Sequence, residues 1–406
     1  MIARGAPDIS WTDLIAAAAF CIAPGDAADA QRQVESMWRL AGGESSICRA
    51  DQVLALLSVR SGVDALLQAL AWPAGSEIII SAITIPHMLD IFRRHRLVTV
   101  PVDINTHTLA IDSEEVCRAV TPRTRAVFVA HLFGSRMPLD AVALVAERHD
   151  LLLIEDCAQA NDGSGYQGHP SSAVTMFSFG PIKRQTAMGG AVFRFQDPKL
   201  ALRVRGIQAA YPSQSRWEYA QRVLSMMMVK AIVSRFLFNT FVAACRWSGR
   251  GHDQQIGGAV RSFSGSDLFS RLRRQPSVPL LKTLARRLQQ PPRQTVARRV
   301  AMVDAMIREF PKLVRPGAGA EHHSHWLVPM LNACPEQMVR QLWDAGYDAT
   351  QGASNLVAVP PAGGRAHAAN AERLMAEILY LPFSPSATEA QIQQMARCIR
   401  EQSRKN

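Results

Sequence analysis

Short apolar runs alternate with helical patterns through the first half of the chain. Six of these runs have the length and composition of buried strands: Glu77–Ile80, Val98–Val100, Ala126–Ala130, Leu151–Ile154, Val174–Phe177 and Gly190–Phe193. Between them lie segments with helical periodicity, including Val63–Leu70, Ser113–Val120 and Leu139–Arg148. Near-continuous apolar strands separated by helices predict an α/β fold with a mainly parallel sheet between helices. Ligands in such folds bind at the carboxyl ends of the strands.

This regular alternation stops at about residue 213, which divides the chain into three parts. Residues 1–213 are predicted to hold N-terminal helices and the large, ligand-binding domain. Residues 214–274 are an apolar, Arg-rich insertion that turns Gly- and Ser-rich after Trp247. Helical patterning resumes near Val278, and short strands are expected at Trp326–Pro329 and Leu356–Val359. Residues 275–406 are therefore predicted to form a smaller α+β domain.

The insertion contains an apolar stretch, Val223–Trp247, that is long enough to cross a bilayer. Lys230 and Arg235 lie in its middle, where charges are costly in a membrane-spanning helix. We therefore expect a helix that is buried, packs against a partner or lies on a membrane surface, with packing against protein favoured.

The composition excludes a disordered chain, since 48% of the residues are apolar and 19% are charged. The net charge of +11 comes from Tyr219–Val300, where thirteen Arg and two Lys face two Asp and no Glu. Such a segment can attract nucleic acid. The sequence contains no helix-turn-helix, zinc-finger or aromatic RNA-binding pattern, so a non-enzymatic nucleic-acid-binding regulator is the weaker alternative.

The seven Cys are scattered and include no CxxC pair, which indicates neither a disulfide framework nor a metal site. The apolar run Leu14–Ala23 follows Asp8 and Asp13 rather than a basic cluster, which argues against a signal peptide. These features predict a cytoplasmic protein. Peripheral contact with a membrane through residues 223–247 stays open.

Candidate chemistry lies where predicted strands and helices meet. Gly62, Val63 and Asp64 precede or begin the helix that runs to Leu70, where backbone amides and the helix dipole can bind a phosphate. Asp156 closes a strand, and a carboxylate there can keep a pyridine nitrogen protonated. Gln159 can contact a phenolic oxygen on the same ring.

A third segment, Phe177–Lys183, is followed by Gly189-Gly190. Lys183 follows a strand and lies beside apolar residues, where its amine can form a Schiff base with an aldehyde. Ser178 can donate to a phosphate. A phosphate site, a pyridine-nitrogen site and an aldehyde site in this order indicate pyridoxal 5'-phosphate as the cofactor.

Together these segments resemble the DegT-type sugar aminotransferase family of the fold-type I pyridoxal phosphate enzymes. The resemblance extends over most of the chain. It rests on SG-x-x-AL at Ser61–Leu66, Pro101–Ile104, Thr121–Ala126, His131–Gly134, ED-x-AQA at Glu155–Ala160, FSF-x-x-x-K at Phe177–Lys183 and Leu381–Pro385. It implies a fold-type I large domain, a small C-terminal domain and a homodimer with the active site at the subunit interface.

The resemblance also implies roles for single residues. Lys183 would be the Schiff-base lysine and the proton carrier. Asp156 would pair with the pyridine nitrogen, and Gln159 would contact the phenolic oxygen. The phosphate would be held by Ser178 and by the backbone at Gly62, Val63 and Asp64.

The chain departs from the family pattern at three places. Val63 stands where the family usually has Thr, so one side-chain contact to the phosphate would be missing. Ile85 stands where the family often has a ring that stacks on the cofactor, and His87 is the substitute proposed here. The family's Asn for the neighbouring subunit's phosphate has no clear counterpart in residues 214–274, although Arg273 or Arg274 could supply charge instead.

The sequence therefore predicts an aminotransferase that moves an amino group, with glutamate as the expected donor, to a keto group. The expected acceptor is sugar-nucleotide-like or, given the apolar and basic insertion, lipid-linked. Another pyridoxal phosphate reaction, such as dehydration or decarboxylation, is the alternative on the same fold.

Overall fold

A seven-stranded sheet forms the centre of the protein in a computed structural model, which describes residues 1–43, 48–234, 237–248, 267–361, 367–383 and 388–403. Its strands are Val53–Leu56 (β1), Glu77–Ser81 (β2), Val98–Val102 (β4), Thr124–Ala130 (β5), Leu152–Asp156 (β7), Val174–Ser178 (β8) and Ala191–Phe195 (β9). Their spatial order is β1-β9-β8-β7-β5-β2-β4. The pairs from β8 to β4 are parallel, whereas β9 is antiparallel to both of its neighbours. The predicted mainly parallel sheet is confirmed, and β1 is an addition to the six predicted strands.

Three two-stranded ladders complete the β-structure. They pair Ile83–Thr84 (β3) with Val357–Ala358 (β12), Ser135–Arg136 (β6) with His322–His323 (β10), and Pro329–Leu331 (β11) with Ile378–Tyr380 (β13). The first two ladders join the C-terminal third of the chain to the large domain. Both lie close in sequence to the carboxyl ends of sheet strands, so they bring C-terminal segments towards the edge where ligands bind.

Fifteen helices of the described residues surround the sheet. They are Trp11–Ile22 (α1), Ala27–Ala41 (α2), Val59–Leu70 (α3), Pro86–Arg94 (α4), Ser113–Ala119 (α5), Asp140–Arg148 (α6), Pro198–Ala209 (α7), Arg216–Ile232 (α8), Leu237–Trp247 (α9), Leu268–Leu272 (α10), Val278–Leu288 (α11), Arg293–Glu309 (α12), Pro335–Asp344 (α13), Ala369–Glu377 (α14) and Glu389–Ser403 (α15). Many begin at a side-chain cap. The hydroxyl of Ser58, for example, accepts the Ser61 N–H, and Ser215 forms a capping box with Glu218.

Each face of the sheet has its own hydrophobic cluster, because alternate strand residues point to opposite sides. In β2, Ile79 belongs to one cluster, while Ile78 and Ile80 belong to the other. A third cluster joins α1, α2, α8 and α11 to the strand residues Phe177 and Val192. Helices α12, α13 and α15 with β11 and β13 form a separate cluster around Met306, which is the core of the C-terminal α+β part.

The apolar stretch of the insertion forms two helices rather than the single one predicted. Helix α8 ends at Ile232, and the chain bends by 97° before α9. Val223, Met226 and Val229 are buried against protein, whereas Leu224 and Met228 are exposed. In the described parts of the chain, no single helix is long and apolar enough to cross a membrane. Helices α8 and α9 together have the necessary length and composition, but only as a bent pair. The Gly-rich residues 249–266 lie outside the described residues.

Candidate active site

Asp156, Ser178 and Lys183 lie at or just after the carboxyl ends of two adjacent strands of the sheet. Asp156 ends β7, and Ser178 ends the adjacent strand β8. The Lys183 N–H donates to the carbonyl of Gly180 at 2.9 Å, which closes a turn just after β8. A Cβ at Gly180 would lie 3.7 Å from Ser178 Oγ and 3.9 Å from Lys183 Cγ, so these two side chains flank the turn.

Lys183 lies in a buried environment that favours its uncharged form. Burial and, to a smaller extent, the charge of Arg60 lower its pKa, whereas Asp156 raises it. The net pKa is about 8. The Nζ atom lies 4.0 Å from the centroid of the Trp326 ring. An amine with such a pKa is partly neutral near pH 7, which is what a nucleophile or proton acceptor requires.

Asp156 is a carboxylate with a raised pKa and few partners. Burial raises its pKa, against the Ala158 N–H, which donates to Oδ1 at 2.9 Å, and the charge of Lys183. Among the residues that the structure describes, none forms an ion pair with Asp156. A protonated ring nitrogen would supply the charged donor that this carboxylate lacks.

Gln159 is fixed in one orientation by the main chain. Its Oε1 accepts the Phe133 N–H at 2.8 Å. The amide nitrogen is therefore the atom that can donate to a ligand oxygen, in agreement with the predicted contact to a phenolic oxygen. That contact remains a prediction.

The predicted phosphate contacts of Gly62, Val63 and Asp64 need correction, because α3 begins earlier than expected. It starts at Val59, so the Gly62 N–H already donates to the carbonyl of Ser58 at 3.0 Å. The amides that no helical carbonyl reaches are those of the first turn, Val59 to Ser61. The Val63 side chain lies in the core.

Gly62 has a packing role that explains its identity. A Cβ at this position would overlap the Phe193 ring and lie 2.8 Å from Leu56 Cδ1. Glycine thus lets α3 approach the sheet closely, as expected where helix and strand backbones meet.

The side chain of Asp64 anchors the end of the insertion. Its buried carboxylate accepts from Arg273 Nε at 2.9 Å and lies 2.9 Å from His95 Nε2. Burial would raise its pKa, but His95 and Arg273 outweigh this effect and lower it. Arg274 is paired with Glu218 at 2.5 Å. Arg273 and Arg274 are therefore held by carboxylates, so the suggestion that either supplies charge to the phosphate is not supported.

Two arginines that the sequence reasoning missed give the site a positive potential. Arg60, in the first turn of α3, has its pKa lowered to about 10 by burial and by the charge of Arg222 on α8. Arg60 Nη1 lies 3.0 Å from Nδ1 of His87. The Arg222 guanidinium lies close to Gly189, since a Cβ there would be 3.0 Å from Nη1. Their signal in the sequence was an Arg directly before the SG motif and an Arg in the apolar insertion.

His87 is near the site, on the first turn of α4. Burial lowers its pKa, and the charge of Arg60 acts in the same direction, so the ring is held neutral. A neutral imidazole offers a flat face to a cofactor ring, and its stacking there remains a prediction.

Glu155, next to Asp156, is fully occupied by protein donors. His131 Nε2 lies 2.9 Å and the Tyr166 hydroxyl 2.5 Å from Oε1, while the Ser172 hydroxyl donates to Oε2 at 2.8 Å. Burial would raise its pKa, but His131, Tyr166 and the His169 amide lower it to about 2.

His131, Glu155 and Cys157 have their ligand atoms within 4.8 Å of one another, as metal ligands can. However, Met137 N–H donates to His131 Nδ1, which leaves both ring nitrogens engaged. This cluster is a structural network that supports the end of β7.

Comparison with known proteins gives a family match over nearly half of the chain. Residues 43–231 match the DegT/DnrJ/EryC1/StrS aminotransferase family. The match confirms the resemblance inferred from the motifs, and the matched residues include every predicted site residue.

Relatives of this chain match over part of their length. The erythromycin biosynthesis sensory transduction protein EryC1 of Saccharopolyspora erythraea is 34% identical over 204 residues, which are 47% of this chain and 55% of the relative. The L-glutamine:2-deoxy-scyllo-inosose aminotransferase of Micromonospora echinospora is 38% identical over 149 residues, 35% and 34% of the two chains. The chain therefore spans between a third and about half of the length of these relatives.

Solved structures match over the whole chain. The aminotransferase TlmJ from Streptoalloteichus hindustanus superposes with a TM-score of 0.71 at 18% identity, over 100% of this chain and 99% of that one. At this identity the likeness shows the fold, and it confirms the predicted fold-type I architecture.

Pyridoxal phosphate fits the chemistry of this edge. Asp156 is an acceptor without an ion pair among the described residues, Lys183 is an amine with a lowered pKa, and Ser178 is a hydroxyl at the end of the strand next to Asp156. Arg60 and Arg222 are cations that can attract a phosphate. The edge thus offers a group suited to each polar part of the cofactor.

Proposed function

We propose that this protein is a pyridoxal 5'-phosphate-dependent aminotransferase. The observation that carries the proposal is the electrostatic pairing of Lys183, in the turn after β8, with Asp156, at the end of the adjacent strand β7, where each shifts the pKa of the other. The Lys183 amine is partly neutral near pH 7, and the Asp156 carboxylate can accept a hydrogen bond from a protonated ring nitrogen. Such opposed pairs are typical of catalytic sites.

Different residues at this edge would bind different parts of the cofactor. Asp156 would hold the proton of the ring nitrogen, and Gln159 would donate to the phenolic oxygen. Ser178, the Arg60 side chain and the Val59 and Arg60 amides in the first turn of α3 would hold the phosphate, since the Ser61 N–H already donates to Ser58 Oγ. When bound, the cofactor supplies an electron sink for the bonds of the amino carbon.

Lys183 provides two functions at one atom. Its neutral amine would hold the cofactor through the aldehyde, with release of water, and once freed by a substrate amine the same Nζ would accept and return a proton at the neighbouring carbon. Burial keeps the pKa of this amine near 8, so that both protonation states are accessible near neutral pH.

The substrates are proposed by resemblance and by composition. We expect glutamate as the amino donor, and we include glutamine because one relative is named as an L-glutamine-dependent aminotransferase. The acceptor is a keto group on a sugar-nucleotide-like or lipid-linked substrate. We expect the protein to act as a homodimer, as the resemblance implies.

An absorption measurement tests this proposal. The purified protein with pyridoxal phosphate should show a visible band that bleaches when glutamate or glutamine is added, as the cofactor takes up the amino group. Lys183→Ala should not form the same band. Arg148→Gln, an exposed change at the end of α6, is the matched control and should behave as the wild type.

The other outcomes distinguish the alternatives. A band that forms but ignores both donors would reject the aminotransferase and favour dehydration or decarboxylation, which product analysis with candidate amino acids would then identify. No band at all would mean that the edge does not hold the cofactor.

A further inference from the structure

Lys183 also lines a separate cavity on the side of the site that faces the C-terminal part of the chain. The cavity has a volume of about 460 Å³ and lies between the N-terminal segment 4–9, helices α8 and α12, and the chain around Trp326. Asp156, Gln159, Ser178 and His87 do not line it. It therefore lies beside the proposed cofactor position, with the reactive amine at its boundary.

The cavity wall is strongly cationic. Lys183, Arg184, Lys230, Arg298 and Arg299 line it together with Arg4, against the single carboxylate of Asp8. Arg4 is paired with Asp348, at 2.6 Å. Among the described residues, no carboxylate lies within ion-pair distance of the other five.

Two of these cations lose much of their contact with water, which is costly without a counter-charge. Arg184 is 9% exposed, donates from Nη2 to the carbonyl of Ser324 at 2.7 Å, and has no partner for Nε in the described structure. Arg299 is half-buried and donates to the main-chain carbonyls of His325, Trp326 and Phe383. Asp8 and Asp162 act on Arg184 only at a distance, so neutral carbonyls are the groups that orient both guanidinium groups. A bound anion would give them a charged partner.

Most of the rest of the wall is apolar, apart from Thr295, Thr350 and Tyr380. Val229 and Val233 of the insertion face this space together with Met302 of α12 and Phe383. Lys230 lies between the two valines in the sequence, so the insertion contributes a charged and an apolar contact side by side.

We propose that this cavity binds the phosphate group of an acceptor in which the phosphate carries an apolar chain. Several cations suit a phosphate dianion, and the apolar wall suits a hydrocarbon rather than a polar nucleoside. Lys230 and Arg298 would bind the phosphate at the cavity mouth, and Arg184 would add charge behind them. This inference rests on the proposed function, because it places the acceptor next to Lys183.

Direct binding tests the inference without turnover. We would titrate the cofactor-loaded protein calorimetrically with octyl phosphate below its micellar concentration, inorganic phosphate and uridine diphosphate. We expect octyl phosphate to bind at least about 10-fold more tightly than inorganic phosphate, since a buried alkyl chain adds favourable free energy. It should also bind more tightly than uridine diphosphate.

Variants locate the site. Lys230→Met and Arg298→Gln should each weaken octyl phosphate binding about 10-fold, as expected for the loss of a charged hydrogen bond. Arg308→Gln, an exposed change on the same helix as Arg298, should have no effect. Because Arg298 is exposed, its variant should fold normally, and an unchanged visible cofactor band checks this.

Three results would overturn the inference. They are equal binding of octyl and inorganic phosphate, tighter binding of uridine diphosphate than of octyl phosphate, and unchanged affinity in both variants. If octyl phosphate binds as expected while glutamate and glutamine fail to bleach the cofactor band, the cavity assignment stands and the aminotransferase proposal fails.

Discussion

Two adjacent carboxylates at the end of β7 have opposite pKa shifts, although both are buried. Glu155 has four side-chain partners, His131, Tyr166, Ser172 and the Cys157 thiol, and accepts from the His169 amide, and its pKa falls to about 2. Asp156 receives one main-chain donor at 2.9 Å, so burial dominates and its pKa rises. The number of donors, rather than burial alone, therefore separates a structural carboxylate from one available to a ligand.

Glu155→Gln should lower the free energy of unfolding by about 3 kcal/mol at pH 7, because the donors around it lose their charged acceptor. The pKa of Glu155 is depressed from 4.5 to about 2 in the folded protein, so its contribution is present above pH 4.5 and is lost as the pH falls towards 2. Urea unfolding across this range should show the variant and the wild type converging. Glu147→Gln, on the exposed face of α6, should change little, and an equal loss there would contradict the prediction.

The pH dependence of cofactor capture tests the electrostatics around Lys183. Only the neutral amine attacks the aldehyde, so the rate at which cofactor-free protein binds pyridoxal phosphate should rise as the pH passes through about 8. Arg60→Gln removes a charge that lowers this pKa, so its midpoint should move to higher pH. Stopped-flow absorbance would measure both profiles, and identical midpoints would exclude the role of Arg60.

At the scale of single elements, the contact between α3 and the sheet decides where α3 begins and what Gly62 does. The capping hydroxyl of Ser58 starts the helix, and the missing Cβ of Gly62 lets it lie against Phe193. The insertion is held by similar element-to-element contacts. Arg273 pairs with Asp64 on α3, and Arg274 with Glu218 on α8. The charges of these two arginines are therefore neutralised within the protein.

Gly62→Ala should destabilise the protein by about 1–3 kcal/mol, because the added methyl group overpacks the interface with Phe193. Gly206→Ala on α7 is a matched control, since a Cβ there meets nothing within 4 Å. Helix propensity alone predicts that Gly206→Ala raises the free energy of unfolding by up to about 1 kcal/mol. Chemical denaturation compares the two, and a neutral Gly62→Ala would refute the packing role.

At the scale of the whole molecule, the site depends on segments that lie far apart in the chain. Asp156 and Lys183 come from the sheet, Arg60 from α3, Arg222 from the insertion and Trp326 from the C-terminal part. A ligand that contacts several of these segments stabilises the folded state as a unit. The cavity beside Lys183 adds the N-terminal segment and α12 to the same assembly.

Removal of the cofactor should therefore lower the melting temperature of the whole protein. At a pyridoxal phosphate concentration 100 times the dissociation constant, the stabilisation is about 2.7 kcal/mol. Differential scanning fluorimetry should show the melting temperature rising with cofactor concentration. Pyridoxal without the phosphate should give a smaller rise, and a melting temperature independent of cofactor would argue against binding at this edge.

Local patterns were enough to predict the strands, because buried parallel strands are short continuous apolar runs. They also marked Asp156, Ser178 and Lys183, since residues just after such strands meet at one edge of the sheet. The error at Gly62, Val63 and Asp64 arose from a helix start. The Ser58 cap, three residues before the SG motif at Ser61 and Gly62, moved the unbonded amides out of the predicted positions.

The sequence by itself therefore determined the fold class, the family resemblance and the edge at which the chemistry lies, because these depend on periodicity and on motifs that are local in the chain. The tertiary structure decided which charges face that edge. It brought Arg60 close enough to Lys183 to lower the pKa of the amine, turned Arg273 towards Asp64, broke the apolar stretch into α8 and α9, and opened a cationic cavity between α8 and α12. These outcomes depend on contacts between residues far apart in sequence, and pKa values follow from such surroundings rather than from residue type.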